Sequence, residues 1–198
     1  MQRIAPELLL SGYLQGYFPM SDENCTPEEP YFWVRPAWRG VIPIADFSIS
    51  KNVQRWIRNQ AHTVTINQAF REVMLACADR ESTWISDIIL ESYCHLHETG
   101  YAHSVEIWTD GELTGGLYGV SMRAAFFGES MFKRKPEMDK VALYYCWKQL
   151  QENDFLLWDT QFYTEHLGTF GCQEISEQEY LRMLKVAVSD IQDEVRFV

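Results

Sequence analysis

Residues 155–171 read FLLWDTQFYTEHLGTFG. The apolar run Phe155 to Trp158 has the bulk and length of a buried strand, and it ends in Asp159 and Gln161. Alternate residues of a strand share a face, so the carboxylate and the amide are expected side by side. A helix-like turn holding Glu165 and His166 follows, closed by Gly171. Such a strand end either satisfies the next turn with its side chains or presents an acid-oriented amide to a site.

Working outward, DKVALYYCWKQLQEN (139–153) reads as a helix leading into that strand, and RAAFFGESMF (123–132) as the strand before it. HSVEIWTDGELTGGLYGVSM (103–122) is a hairpin turning on Asp110-Gly111. Ser86 opens the helix DIILESYCHLHET, and Gly100 caps its end. Further upstream, Asn67 starts the helix QAFREVMLACA, HTVTIN (62–67) alternates as a strand, and Ser50 caps KNVQRWIRNQ (51–60). RGVIPI, from Arg39, reads as a strand. Residues 1–38 form a small N-terminal appendage: a helix over 5–17, stopped by Phe18-Pro19, then a loop-rich stretch up to Pro36 that, counting Pro19, holds four prolines. Downstream, Ser176 and Glu179 make a capping box for the last helix. Helices flanking a partly antiparallel sheet over 39–198 define an α+β domain.

The 198 residues suit one medium domain, and 46% hydrophobic content supplies a core for it. No apolar run reaches the length of a membrane span, and no signal peptide follows Met1, so a cytoplasmic protein without membrane contact is expected. The five scattered cysteines contain no C-x-x-C pair and read as reduced, buried thiols. A net charge of −11 means that any contact with nucleic acid must come from a local patch. Lys51, Arg55 and Arg58, at i, i+4 and i+7 of one helix, share a face and form such a patch, or simply a solvated helix face.

FFGESMF (126–132) places Glu129 in an apolar strand directly after Gly128. The glycine suggests a bulge or a close backbone approach. The carboxylate must be ion-paired or await a cationic ligand. In CHLHE, His95 and His97 face opposite ways on a helix, which argues against a shared metal. Neither G-x-S-x-G nor G-x-x-x-x-G-K occurs.

Together, LLLSGYLQGYFP, STWIS, CHLHETGYAHSVEIW, GELTGGLYGV, FFGESMF, WDTQ, EHLGTFG and QEISEQEYLRML resemble the leucyl/phenylalanyl-tRNA–protein transferases, in that family's order and over nearly the whole chain. The resemblance implies a domain with a fold like that of GCN5-related N-acetyltransferases (acyl-CoA N-acyltransferase-like). It implies transfer of Leu, Phe or Met from aminoacyl-tRNA to the α-amino group of an acceptor protein, which marks that protein for degradation. No cofactor and no metal are implied, and the acceptor's N-terminus is expected to be basic. Carried over by residue, Asp159, Gln161 and Glu129 become catalytic, with Asp159 orienting and polarising Gln161 and Gln161 holding the acceptor amine. Met131, Phe126, Leu117 and Leu143 become an apolar slot. Trp84 and Tyr93 become aromatic contacts, and Lys51, Arg55 and Arg58 a tRNA-binding cluster. Met20 stands where the family has Trp, Thr164 in the substrate site where it has Asn, and Asn59 at the end of the basic cluster. Two alternatives stand beside this: an acyl-CoA-dependent N-acyltransferase, whose Q/R-x-x-G-x-G/A turn the chain lacks, and a relative that lost catalysis and binds protein N-termini.

Overall fold

Asp110 and Gly111 both take positive φ (55° and 80°), the turn that matches the twist of a tight hairpin, in a computed structural model that describes residues 3–59, 61–189 and 195–198. The hairpin joins β5 (Ala102–Thr109) to β6 (Glu112–Met122), and β7 (Ala125–Lys133) pairs antiparallel on the far side of β6. A fifteen-residue helix, α5 (Met138–Glu152), then crosses over to β8 (Leu157–Gln161), which lies parallel to β7. With β3 (Trp38–Val41), β4 (Thr63–Ile66) and β9 (Gln173–Ser176), the strands form a seven-stranded sheet ordered β4-β5-β6-β7-β8-β3-β9. β7–β8 is its parallel pair; the other strands pair antiparallel.

Neighbouring residues of the central strands go to opposite faces, so both sides of the sheet are apolar and both are covered. Tyr118, Phe127 and Leu157 pack with α1 (Pro6–Leu14), α3 (Phe70–Ala78), α4 (Asp87–Glu98) and α7 (Glu177–Ala187). Leu117, Phe126 and Trp158 pack with α5 and with Val53 of α2 (Lys51–Asn59). The N-terminal segment joins the first of these cores through Ile4, Leu9, Tyr13 and Phe18.

Several sequence expectations are adjusted. α1 stops at Leu14 because Gly16 turns left-handed at φ 82°. The proline-rich loop holds a short two-stranded sheet, β1 (Phe18–Met20) with β2 (Phe32–Val34). β9 is an additional strand. The helix expected from Asn67 begins at Phe70, since Asn67 itself is left-handed (φ 61°). Gln60, at the end of the helix read over 51–60, lies outside the described residues. Ser86 stands at the N-cap of α4, but its hydroxyl bonds Ser21 Oγ at 2.8 Å rather than the helix backbone. Cys77, Cys146 and Cys172 are buried, whereas Cys25 and Cys94 are only half-buried.

Candidate active site

β7 and β8 pair only from Ala125/Leu157 to Phe127/Asp159. Beyond that point they part, and a cavity of about 390 Å³ opens between Gly128–Met131 on one side and Thr160–Phe162 on the other. That volume suits a small-molecule or side-chain site.

A bulge sets the β7 wall. Tyr118 pairs with Ser130 and Gly119 with Gly128, which leaves Glu129 as the extra residue. The insertion resets the alternation, so Met131 falls on the Phe126 face although Phe127, four residues earlier, lies on the other. The thioether therefore joins Leu117, Phe126, Leu143 and Trp158 in an apolar slot, while the Glu129 carboxylate meets the tyrosines of α1 and α4.

Glu129 makes no ion pair among the described residues. Its Oε1 accepts from Tyr13 Oη (2.6 Å) and from Gln161 Nε2 (2.8 Å). Its Oε2 lies 3.4 Å from Tyr93 Oη, and the two tyrosine hydroxyls are hydrogen-bonded to each other. Burial pushes its pKa up to about 7, against the hydrogen bonds from Tyr13 and Gln161, which favour the carboxylate. A carboxyl poised there can hold or release a proton near neutrality.

On the β8 wall, Gln161 turns out of the strand with φ 65°. Two features hold it there. Its N–H donates to Asp159 Oδ1 at 2.7 Å. Gly40 lets the chain pass, for a Cβ at that position would lie 2.5 Å from the Phe162 carbonyl carbon. Asp159 is fully buried and lies behind the cavity wall. Arg39 Nε donates to its Oδ1 (2.9 Å), and Arg39 Nη2 and Tyr180 Oη donate to its Oδ2 (2.6 and 2.7 Å). The Arg39 guanidinium lies over the rings of Phe18 and Tyr180 and also donates to the Gly16 carbonyl. The expectation that Asp159 orients the Gln161 side-chain amide is thus corrected. The acid holds the backbone, and Glu129 holds the amide.

With Nε2 committed to Glu129, the Gln161 carbonyl oxygen meets no donor among the described residues. It can accept from an incoming amine.

The remaining expectations divide. Leu117, Phe126, Met131, Leu143, Trp84 and Thr164 all line the cavity. Thr164 also caps the short α6 (Glu165–Gly168) by accepting from Leu167 N. Tyr93 does not reach the cavity; it is fully buried behind Glu129, so its role as a substrate contact is replaced by support of the carboxylate. Lys51, Arg55 and Arg58 are exposed on α2, and no described acid pairs with them. Ser21 N–H donates to the Trp84 carbonyl (3.2 Å), which brings Met20 and Trp84 to one end of the cavity. Phe162, not singled out from sequence, lines the same cavity; the residue is 44% exposed, and its ring packs perpendicular to that of Phe18. Tyr13, Arg39 and Tyr180 were likewise unsignalled. Tyr13 and Arg39 act on partners 116 and 120 residues away, and Tyr180 on one 21 residues away.

A sheet whose one parallel pair parts around a reaction-sized cavity defines an α+β domain with the fold of the GCN5-related N-acetyltransferases. The crystal structure of FemX shares that fold, with a TM-score of 0.56 at 12% identity, over 87% of this chain and 66% of that one. At the level of sequence, residues 41–185 match the family described as Leucyl/phenylalanyl-tRNA protein transferase, and residues 2–37 match its N-terminal domain. The proteins named Leucyl/phenylalanyl-tRNA–protein transferase from Dinoroseobacter shibae and Herpetosiphon aurantiacus are each 44% identical over 94% of this chain, which spans 83% and 96% of their lengths. The chain belongs to the leucyl/phenylalanyl-tRNA–protein transferase family.

Proposed function

We propose that the cavity between β7 and β8 moves Leu, Phe or Met from aminoacyl-tRNA onto the N-terminal α-amino group of an acceptor protein, tagging it for proteolysis in the cytoplasm. The observation that carries the assignment of residues is the Glu129–Gln161 hydrogen bond, which leaves one amide oxygen free at the junction of an apolar slot and the open cavity.

The reaction is aminolysis. The acceptor nitrogen, with a free pKa near 7.7–8.0, forms a C–N bond with the ester carbonyl carbon. The ester C–O bond breaks, and one amine proton ends on the ribose hydroxyl. Because the ester is already activated, the chemistry draws on no cofactor, and holding the two reactants together supplies much of the acceleration. Gln161 Oε1 accepts from the amine and aims its lone pair. Glu129 fixes that amide and, as the carboxylate, draws positive charge off the attacking nitrogen. Asp159 acts through the backbone as a positioning residue.

This assignment makes the pH profile diagnostic. Transfer should rise with pH through about 7 as Glu129 ionises, and again near 8 as the amine loses its proton. Glu129→Gln should erase the lower limb and leave the upper. The same carboxyl affects stability with a definite sign. Its folded pKa lies above the unfolded value of 4.5, so its contribution is fully present below pH 4.5 and is lost as pH rises through about 7. At pH 8 the buried charge costs the fold about 3 kcal/mol. Glu129→Gln should therefore raise the melting temperature more at pH 8 than at pH 5, as calorimetry at the two values would register.

The slot of Leu117, Phe126, Met131 and Leu143 supports an unbranched or γ-branched donor side chain. Ile and Val are stiff at χ1 and should transfer more slowly than Leu by about 1–3 kcal/mol, the scale on which apolar pockets discriminate. Equal rates from Leu-tRNA and Val-tRNA would remove the slot assignment. At the other end, the exposed faces of Trp84 and Phe162 give the terminal base its stacking surface. Phe162 thereby supplies a ring that Met20 lacks.

For the tRNA body, Lys51, Arg55 and Arg58 lie on the face of α2 opposite its buried anchor Val53. Three phosphate contacts give a salt slope of about −2. Arg55→Glu should weaken all aminoacyl-tRNAs alike, since phosphates carry no sequence information; unchanged affinity would leave the stripe a solvated helix face. The break between the two family matches, near residue 38, supports the division into an N-terminal appendage and a catalytic domain. Transfer of labelled leucine from Leu-tRNA to a peptide with a free N-terminus tests the whole reading, and a peptide acetylated at its N-terminus should receive none.

A further inference from the structure

Behind the apolar slot stands a second wall. Phe126, which lines the slot, is fully buried, and its ring reaches over Gly119 of β6. A Cβ at Gly119 would lie 2.5 Å from Phe126 Cζ, so the ring needs a glycine beneath it.

Phe197, beyond α7, closes the other side. Its ring stacks on that of Phe126, with centroids 4.9 Å apart and 16° between the planes. It also stacks on His103, at 4.9 Å and 26°, and His103 stands opposite Gly119 on the neighbouring strand β5. Phe155 meets the same ring edge-on at 6.3 Å. Phe197 is itself 1% exposed and does not line the slot. It touches the slot only through Phe126.

Two walls of the slot therefore differ in kind. Met131 is half-buried and flexible, and it adapts to the shape of what enters. Phe126 is clamped between Gly119 and Phe197. A close-packed interior gives way to an oversized group only by shifting its rings and backbone, which is costly. An aromatic ring stacked on a second ring adds to that resistance.

This inference rests on the transfer reading above and deepens it. We propose that Phe197 is a positioning residue for donor choice: by holding Phe126 against Gly119 it fixes the depth of the slot and keeps out a two-ring side chain such as that of Trp.

The test uses the full chain, Leu-, Phe- and Trp-tRNA, and one peptide with a free N-terminus. In the wild type kcat/KM should favour Phe-tRNA over Trp-tRNA by about tenfold or more, the scale on which an apolar pocket discriminates. Phe197→Ala leaves space behind Phe126, lets that ring turn, and should shrink the preference by about tenfold. Phe197→Leu keeps most of the apolar volume, should shrink it severalfold, and decides the matter if Phe197→Ala fails to fold. The ratio is the readout because a general weakening of the fold lowers all three donors together and cancels from it. A Phe-to-Trp ratio that stays at the wild-type value in a folded Phe197 variant, or a wild type indifferent to the two donors, would overturn the assignment of Phe197. No transfer from Leu-tRNA by the wild type would overturn the transfer reading itself, and this one with it.

Discussion

Gln161→Ala should lower transfer at saturating donor by about 2–4 kcal/mol of transition-state stabilisation, roughly a hundredfold or more, while the protein melts close to wild type. Among the described residues the side chain makes one hydrogen bond, from Nε2 to Glu129, and Gln161 lines the cavity. Its removal leaves Tyr13 still bonded to the Glu129 carboxylate, so little of the fold depends on it. The loss therefore falls on the reacting amine. Gln161→Glu sharpens the point, because a second carboxylate beside Glu129 repels it and should raise the pH at which transfer begins.

Asp159→Ala should behave differently. Asp159 accepts four donors and balances Arg39, which is itself 1% exposed. Breaking a buried, fully bonded ion pair by removing one partner costs about 3–5 kcal/mol, because the remaining charge is stranded. For a chain of this size each kcal/mol moves the melting temperature by about 2–4 °C, so a fall on the order of 10 °C is expected. Activity should collapse as well, since the left-handed turn at Gln161 loses its anchor. A variant with wild-type melting and lost turnover would instead place Asp159 in the chemistry. Melting curves of Asp159→Ala and Gln161→Ala, measured side by side, separate the two roles.

Much of this site was legible in the chain. The hydrophobic run before Asp159 marked the central strand, and Gly128 before Glu129 marked the bulge that the register shift realises. Leu117, Phe126, Met131 and Leu143, named from their motifs, line one cavity. What local pattern could not carry was pairing across distance. Arg39 lies 120 residues from Asp159 and Tyr13 lies 116 from Glu129. Neither Arg39, at the head of an ordinary strand, nor Tyr13, in a short helix, advertises a buried partner.

The side-by-side reading of Asp159 and Gln161 assumed strict alternation to the end of the strand. The positive φ at Gln161 replaces that alternation with a turn, and so the acid reaches the backbone rather than the amide. β1, β2 and β9 escaped notice for a simpler reason. They are three or four residues long, and β1 carries Pro19, tolerated only because a two-stranded ribbon leaves an edge free.

The central claim is that the Gln161 amide, held by Glu129, handles the acceptor amine during transfer from aminoacyl-tRNA. It is tested most directly by following labelled leucine from Leu-tRNA into a peptide with a free N-terminus across pH 5.5–9, for the wild type, Gln161→Ala and Glu129→Gln. The account predicts two rising limbs for the wild type, only the limb near pH 8 for Glu129→Gln, and a rate lower by about a hundredfold at every pH for Gln161→Ala. Wild-type rates in Gln161→Ala, or a limb near pH 7 that persists in Glu129→Gln, would contradict it.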